Sequence, residues 1–92
     1  MSSLVPVYLK AVAGAPRLRE PNRSYDPSTS IGELEIKLRT TLRMPEGSPI
    51  FIYVTAGSFA PSPEQSIGFL YKTFATEKRP LTLSYGILEV FG

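Results

Sequence analysis

The chain has 92 residues, a net charge of +2, 42% hydrophobic residues, no cysteine and no histidine. That length makes one domain around one core and leaves no room for a second. With Asp26 as the single aspartate, the composition excludes Ser-His-Asp and Cys-His catalysis, the usual zinc ligand sets and any disulfide framework.

Val5, Val7 and Leu9 alternate with Pro6, Tyr8 and Lys10, and residues 11–13 continue the run. This predicts a first strand with Pro6 near its start, where no ladder bond is required of it. Gly14-Ala15-Pro16 is a turn. Residues 17–25 read as a second, more polar strand that Pro21 interrupts, hence an edge or bulged strand.

A helix comes next. Ser30 and Glu33 form a capping box, with Thr29 as the alternative cap. Ile31, Leu34, Leu38 and Leu42 recur on one face, and Ile36 lies off that stripe, half-buried. Glu33 with Lys37 and Glu35 with Arg39 are i,i+4 pairs, and the cations of the second half suit the negative end of the helix dipole. Residues 45–49 (Pro-Glu-Gly-Ser-Pro) stop the helix.

Residues 50–55 predict a strand with β-branched and aromatic side chains on both faces. Gly57 lets the backbone leave it. Pro61 and Pro63 rigidify the link, Ser62 is an N-cap, Pro63 suits the first helical position and Gln65 completes a capping box. A second, shorter helix then spans residues 63–74 with Ile67, Leu70, Tyr71 and Phe74 on one face, Gly68 allowing close packing. Residues 77–80 turn, residues 81–85 form the last strand, and a tail of residues 86–92 ends the chain.

The order β-β-α-β-α-β predicts an α+β domain of the β-grasp, or ubiquitin-like, type: a mixed four-stranded sheet with one main helix and a second shorter one. The ferredoxin-like order, β-α-β-β-α-β, fits less well because the first helix comes only after two strands. Residues 1–92 are read as one such domain, with the tail at its end.

The sequence pI of about 9.1 does not mark a nucleic-acid-binding protein. Arg17, Arg19 and Arg23 form the only local basic cluster, Glu20 and Asp26 dilute it, and no aromatic platform accompanies it. No apolar run approaches the roughly 20 residues that cross a bilayer. Met1-Ser2-Ser3-Leu4 carries neither a signal-peptide stretch nor a myristoylation glycine, so a cytoplasmic protein is expected. Glu33 and Glu35 do not face each other on a helix. Gly14, Gly32, Gly47 and Gly57 are isolated and make no phosphate loop. Neither an enzyme nor a cofactor or metal site is expected.

Three stretches resemble the autophagy-related protein 12 family of ubiquitin-like modifiers. They are Leu9-Lys10-Ala11-Val12 with Gly14 and Pro16, then Phe51-Ile52-Tyr53-Val54 with Ser58-Phe59-Ala60-Pro61-Ser62-Pro63-Glu64-Gln65, Ile67-Gly68, Leu70-Tyr71 and Phe74, and last Leu81-Thr82-Leu83-Ser84-Tyr85 with Phe91-Gly92. The resemblance implies a modifier whose C-terminal glycine, Gly92, is activated with ATP by autophagy-related protein 7 and carried by autophagy-related protein 10. It is then joined to a lysine of autophagy-related protein 5, in a complex with autophagy-related protein 16. The conjugate would recruit autophagy-related protein 3 and promote lipidation of autophagy-related protein 8, touching the preautophagosomal membrane only through its partners.

The same resemblance implies partner-binding roles for Phe59, Pro61, Pro63, Lys10 and Phe91. Phe59 is expected in a peptide-binding groove, the alternative being that it packs beneath the Pro61-Pro63 turn. Asn22 and Arg23 stand where many relatives carry a basic-aromatic pair, and Phe91 stands where tryptophan is common. A tail of seven residues after Tyr85 reaches at most about 25 Å. The rival functional reading is a non-covalent module that binds the same acceptor without an isopeptide.

Overall fold

The computed structural model describes residues 3–76 and 79–88. In chain order its elements are β1 (Val5–Val12), β2 (Asn22–Tyr25), α1 (Ile31–Leu42), β3 (Phe51–Val54), α2 (Ile67–Phe74) and β4 (Leu81–Gly86). The strands form one sheet in the order β2-β1-β4-β3. β1 runs parallel to β4, and the other two pairs are antiparallel. This is the mixed sheet of a β-grasp domain, with the first and last strands at its centre.

Period-2 alternation puts Val5, Val7 and Leu9 of β1 in the core and leaves Pro6 and Lys10 exposed. Pro6 precedes the parallel ladder, which starts at Val7 opposite Leu81, so its missing N–H costs no bond to β4. Leu34 and Leu38 of α1, Ile67 and Leu70 of α2, and Leu81, Leu83 and Tyr85 of β4 close the core. Among the described residues no helix is long and apolar enough to cross a membrane.

The capping box at Ser30 is present in both directions: Glu33 N–H donates to Ser30 Oγ at 3.1 Å, and Ser30 N–H donates to Glu33 Oε1 at 3.3 Å. Ser30→Ala is expected to cost about 1 kcal/mol. In a domain of this size that lowers Tm by about 4–8 °C, which a thermal melt followed by circular dichroism measures. A melt unchanged by the substitution would mean that the cap contributes nothing to stability.

Five expectations are corrected. The second strand is Asn22–Tyr25, not residues 17–25. Leu9 N–H donates to Pro21 O at 2.9 Å, but Pro21 has no N–H to return and the ladder stops there. Leu18 turns inward and is buried instead. The second helix starts at Ile67 with Ser66 as its cap, not at Pro63. Ile36 is 65% exposed rather than half-buried, because the core-facing stripe is fully supplied by Ile31, Leu34 and Leu38. Glu35 pairs with Arg39 at 3.2 Å, whereas the Glu33 carboxylate is engaged by Ser30 and no pair with Lys37 forms. Finally, Gly86 belongs to β4, opposite Val12 and Phe51, so the tail begins one residue later. A Cβ there would lie 3.1 Å from Val12 O, which explains why the strand can close so near β1.

Tyr85 is fully buried, and its hydroxyl donates to Pro16 O at 2.7 Å, tying the end of the β1–β2 connection to the core. Burial pushes this phenol above its ordinary value of 10.0, against smaller lowering effects from the Leu18 backbone and the Arg23 charge. The protonated form is therefore the one the fold favours. Its contribution is complete below the unfolded value and is lost as pH rises through the higher folded value. Tyr85→Phe is expected to cost about 1 kcal/mol at neutral pH. It should also flatten the fall in Tm as pH rises above about 10, read by circular dichroism melts across the alkaline range. An equally steep fall in the variant would place the alkaline sensitivity elsewhere, Tyr25 being the next phenol that burial raises.

Candidate functional site

β3 is an edge strand, and the residues after it build a groove along that edge. Val54 N–H donates to Phe59 O at 2.8 Å, so the chain folds back on itself after a four-residue turn. Ser58 takes the left-handed conformation of that turn, with φ of 51°. Gly57 serves a different end from the one its sequence suggests: a Cβ there would stand 2.5 Å from Phe59 Cδ1, so its bareness makes room for the Phe59 ring. The ring leans on Phe74 of α2, with centroids 5.0 Å apart and planes at 54°.

The next residues lock two helix starts together. Pro63 O accepts from Gly32 N–H and Gln65 O from Ile31 N–H, both at 2.9 Å. In return Thr29 O accepts from Ile67 N–H at 2.8 Å, and Pro27 O from Gly68 N–H at 2.9 Å. The segment leading into each helix thus satisfies two of the unpaired N–H groups at the other helix's first turn. Between this clamp and β3 lies an open groove of about 260 Å³. Ile31 and Glu35 of α1, Ile50, Phe51, Ile52 and Tyr53, and the Phe59, Pro61 and Pro63 side chains line it.

The groove is mainly apolar. Glu35 is its one charged lining residue. Its Oε2 bonds Arg39 Nε, and Arg39 Nη1 in turn donates to Ser48 O at 2.6 Å. At the rim the Ser62 hydroxyl bonds the Glu64 carboxylate and holds it below its ordinary value, so it stays charged at neutral pH. Among the described residues no three His, Cys, Asp or Glu side chains converge as metal ligands. Such a surface has the shape and the apolar lining to hold an extended apolar peptide.

The structure gathers three of the six residues singled out from sequence. Phe59 is half-buried in the groove wall, Pro61 is buried beneath it and Pro63 is exposed at its lip. Phe59 packs against Phe74, and it shares the groove lining with Pro61 and Pro63. Lys10 is elsewhere: it projects, exposed, from β1, with β4 between that strand and the groove edge. It lines a separate depression of about 360 Å³ with Tyr8, Arg17, Leu18 and Pro21. Phe91 and Gly92 lie outside the described residues. Arg23 is engaged locally, its Nε donating to Glu20 O at 3.0 Å. Sequence reasoning missed Ile31 and Glu35, which read only as core and surface of α1, and Phe74, which read as helix core.

A family model described as "Ubiquitin-like autophagy protein Apg12" matches residues 4–92. The ubiquitin-like protein ATG12 of Schizosaccharomyces pombe is 34% identical over 88 residues, covering 96% of this chain and 65% of that protein. The rat protein of the same name is 32% identical over 96% of this chain and 61% of its own length. The chain therefore spans a little under two thirds of the length of these relatives. Among solved structures, Trypanosoma brucei ATG8 superposes with a TM-score of 0.83 over 97% of this chain and 77% of its own, at 16% identity. That likeness speaks for a shared ubiquitin-like fold alone.

Proposed function

Because the chain belongs to the Apg12 family of ubiquitin-like autophagy proteins, we propose that it is a protein modifier joined through Gly92 to a lysine of autophagy-related protein 5. The family match across residues 4–92 carries this reading, since it spans the folded domain and the tail together. The chain itself supplies no catalytic group. The Gly92 carboxylate attacks the α-phosphorus of ATP and pyrophosphate leaves, giving an acyl adenylate. A thiolate of the activating enzyme, autophagy-related protein 7, displaces AMP, and the thioester passes to a thiol of autophagy-related protein 10. The acceptor's lysine amine then displaces that thiol and forms the isopeptide. Glycine suits each step because no Cβ obstructs the carbonyl inside three successive narrow sites.

Within the conjugate, the groove of Phe59, Pro61 and Pro63 docks autophagy-related protein 3. That docking promotes lipidation of autophagy-related protein 8, with autophagy-related protein 16 present in the assembly. Lys10 and Phe91 are assigned to further partner contacts, Lys10 in its own depression and Phe91 against the acceptor. The protein works in the cytoplasm and reaches the preautophagosomal membrane through its partners.

The test is an intact-mass assay with ATP, both transfer enzymes and the acceptor, run beside Gly92→Ala. The expected result is a product with the summed mass less one water, formed by the parent chain and absent with the variant. A stable complex with the acceptor on a sizing column, without any covalent product, would replace the modifier by a non-covalent binding module.

A further inference from the structure

Two prolines mark the lip of the groove, and a serine stands between them. Ala60 and Ser62 each precede a proline, which biases both toward extended backbone, and Pro61 has its own φ fixed by its ring. Pro61 is buried and anchors the segment, while Ser62, Pro63 and Glu64 are exposed. The Ser62 hydroxyl meets only Glu64: it donates to the carboxylate and accepts from the Glu64 N–H at 3.4 Å. It is therefore a free-standing alcohol at the protein surface, held by nothing in the core.

The chain holds two Ser-Pro pairs, and the structure separates them. Ser48 is half-buried, its hydroxyl bonds Pro45 O, and its own carbonyl accepts from Arg39 Nη1 at 2.6 Å. Drawing it out would break the Arg39 link that steadies Glu35. Ser62 carries no such tie. An enzyme cleft that reads Ser-Pro leaves the N–H of the second residue without an acceptor, and proline has none to leave unpaired.

We propose that Ser62 is the acceptor site of a proline-directed serine kinase, and that its phosphate closes the groove to the conjugating enzyme; the second half rests on the docking role assigned above to Phe59. In the transfer, Ser62 Oγ attacks the γ-phosphorus of ATP. The new O–P bond forms, the bond from the γ-phosphorus to the bridging oxygen breaks, and ADP leaves. The hydroxyl proton passes to the kinase's catalytic carboxylate, which takes the place of Glu64 as its acceptor. The product carries about −1.5 to −2 charges at neutral pH. It stands beside Glu64, and the groove lining, whose one charge is Glu35, offers it no Lys or Arg. The lip of a mainly apolar groove becomes a hydrated anion, from which an entering apolar segment must strip water without a pairing cation in return.

The experiment treats the folded chain with ATP and a proline-directed kinase and reads intact mass and fragment masses. Transfer of one phosphoryl group to Ser62 is expected, with Ser62→Ala refusing it and Ser48→Ala accepting it as the parent does. No transfer, or transfer chiefly to Ser48, overturns the site. The phosphorylated chain, the parent and Ser62→Ala are then titrated calorimetrically with the conjugating enzyme, each after a thermal melt that shows it folded. Phosphorylation is expected to weaken binding about tenfold or more, and Ser62→Ala to bind as the parent. Equal or tighter binding by the phosphorylated chain overturns the closing role. If the unmodified parent does not bind, or binds equally with Phe59→Asp, the docking role fails and the closing role with it, while the masses still decide the site.

Discussion

Phe59→Asp is expected to weaken binding of the conjugating enzyme by about thirtyfold or more, the effect of losing one aromatic anchor from an interface. The chain should stay folded. The bond from Val54 N–H to Phe59 O involves only main chain and survives the substitution. What is lost inside the molecule is the ring contact with Phe74, about 0.5–1.5 kcal/mol beyond the buried area. The aspartate itself can turn to water, because position 59 is only half-buried.

Phe59→Leu separates the two effects. Leucine keeps most of the apolar contact with Phe74 and gives up the flat face offered to a peptide. It should therefore melt near the parent and still bind several times more weakly. Calorimetric titration and thermal melts on all three chains measure both quantities. A folded Phe59→Asp chain that binds as tightly as the parent would show that the groove is not the docking surface. Leucine restoring binding in full would mean that Phe59 serves packing alone.

Much of this architecture is legible locally. Ser30 and Glu33 announce the start of α1, and Ile31, Leu34 and Leu38 give its buried face, because both signals arise within a few turns of one helix. The alternating residues of β1 and β4 are equally plain. The start of α2 is not. Ser62 and Gln65 do interact as a capping pair: Ser62 N–H donates to Gln65 Oε1 at 2.9 Å, and Gln65 N–H donates to Ser62 O at 3.0 Å. They close a single turn, and no helix grows from it. The carbonyls of Pro63 and Gln65, which a helix would need for its own bonds, are taken by Gly32 and Ile31. Those partners are some thirty residues distant, so no local pattern reveals them. The groove divides the same way. Phe59, Pro61 and Pro63 stand in one short string, whereas Ile31, Glu35 and Phe74 reach it only through the packing of both helices.

That interlock has its most sensitive point at Gly68, and alanine there is expected to destabilise the domain by about 2 kcal/mol. Two effects oppose each other. Alanine is worth about 1 kcal/mol more than glycine inside a helix, which alone would raise stability. Against it, a Cβ at Gly68 would stand 2.8 Å from Pro27 Cβ and 2.9 Å from Pro27 O. Neither neighbour can yield cheaply. Pro27 is a ring on fixed backbone, and its carbonyl holds the 2.9 Å bond from Gly68 N–H itself. Relieving the clash moves α2 away from Pro27, stretches that bond and the adjacent one from Ile67 to Thr29, and loosens both helix starts together. The clash outweighs the propensity gain, and Tm should fall by about 8–16 °C. Gly32 provides the contrast on the other side of the clamp. A Cβ there meets Pro63 O at 3.4 Å, an ordinary contact, so Gly32→Ala keeps most of the helix gain and should leave Tm unchanged or raised. Thermal melts of the two variants decide the point: a Gly68→Ala chain as stable as the parent would mean that the two helix starts are not rigidly locked, and the groove between them and β3 would lose its fixed wall.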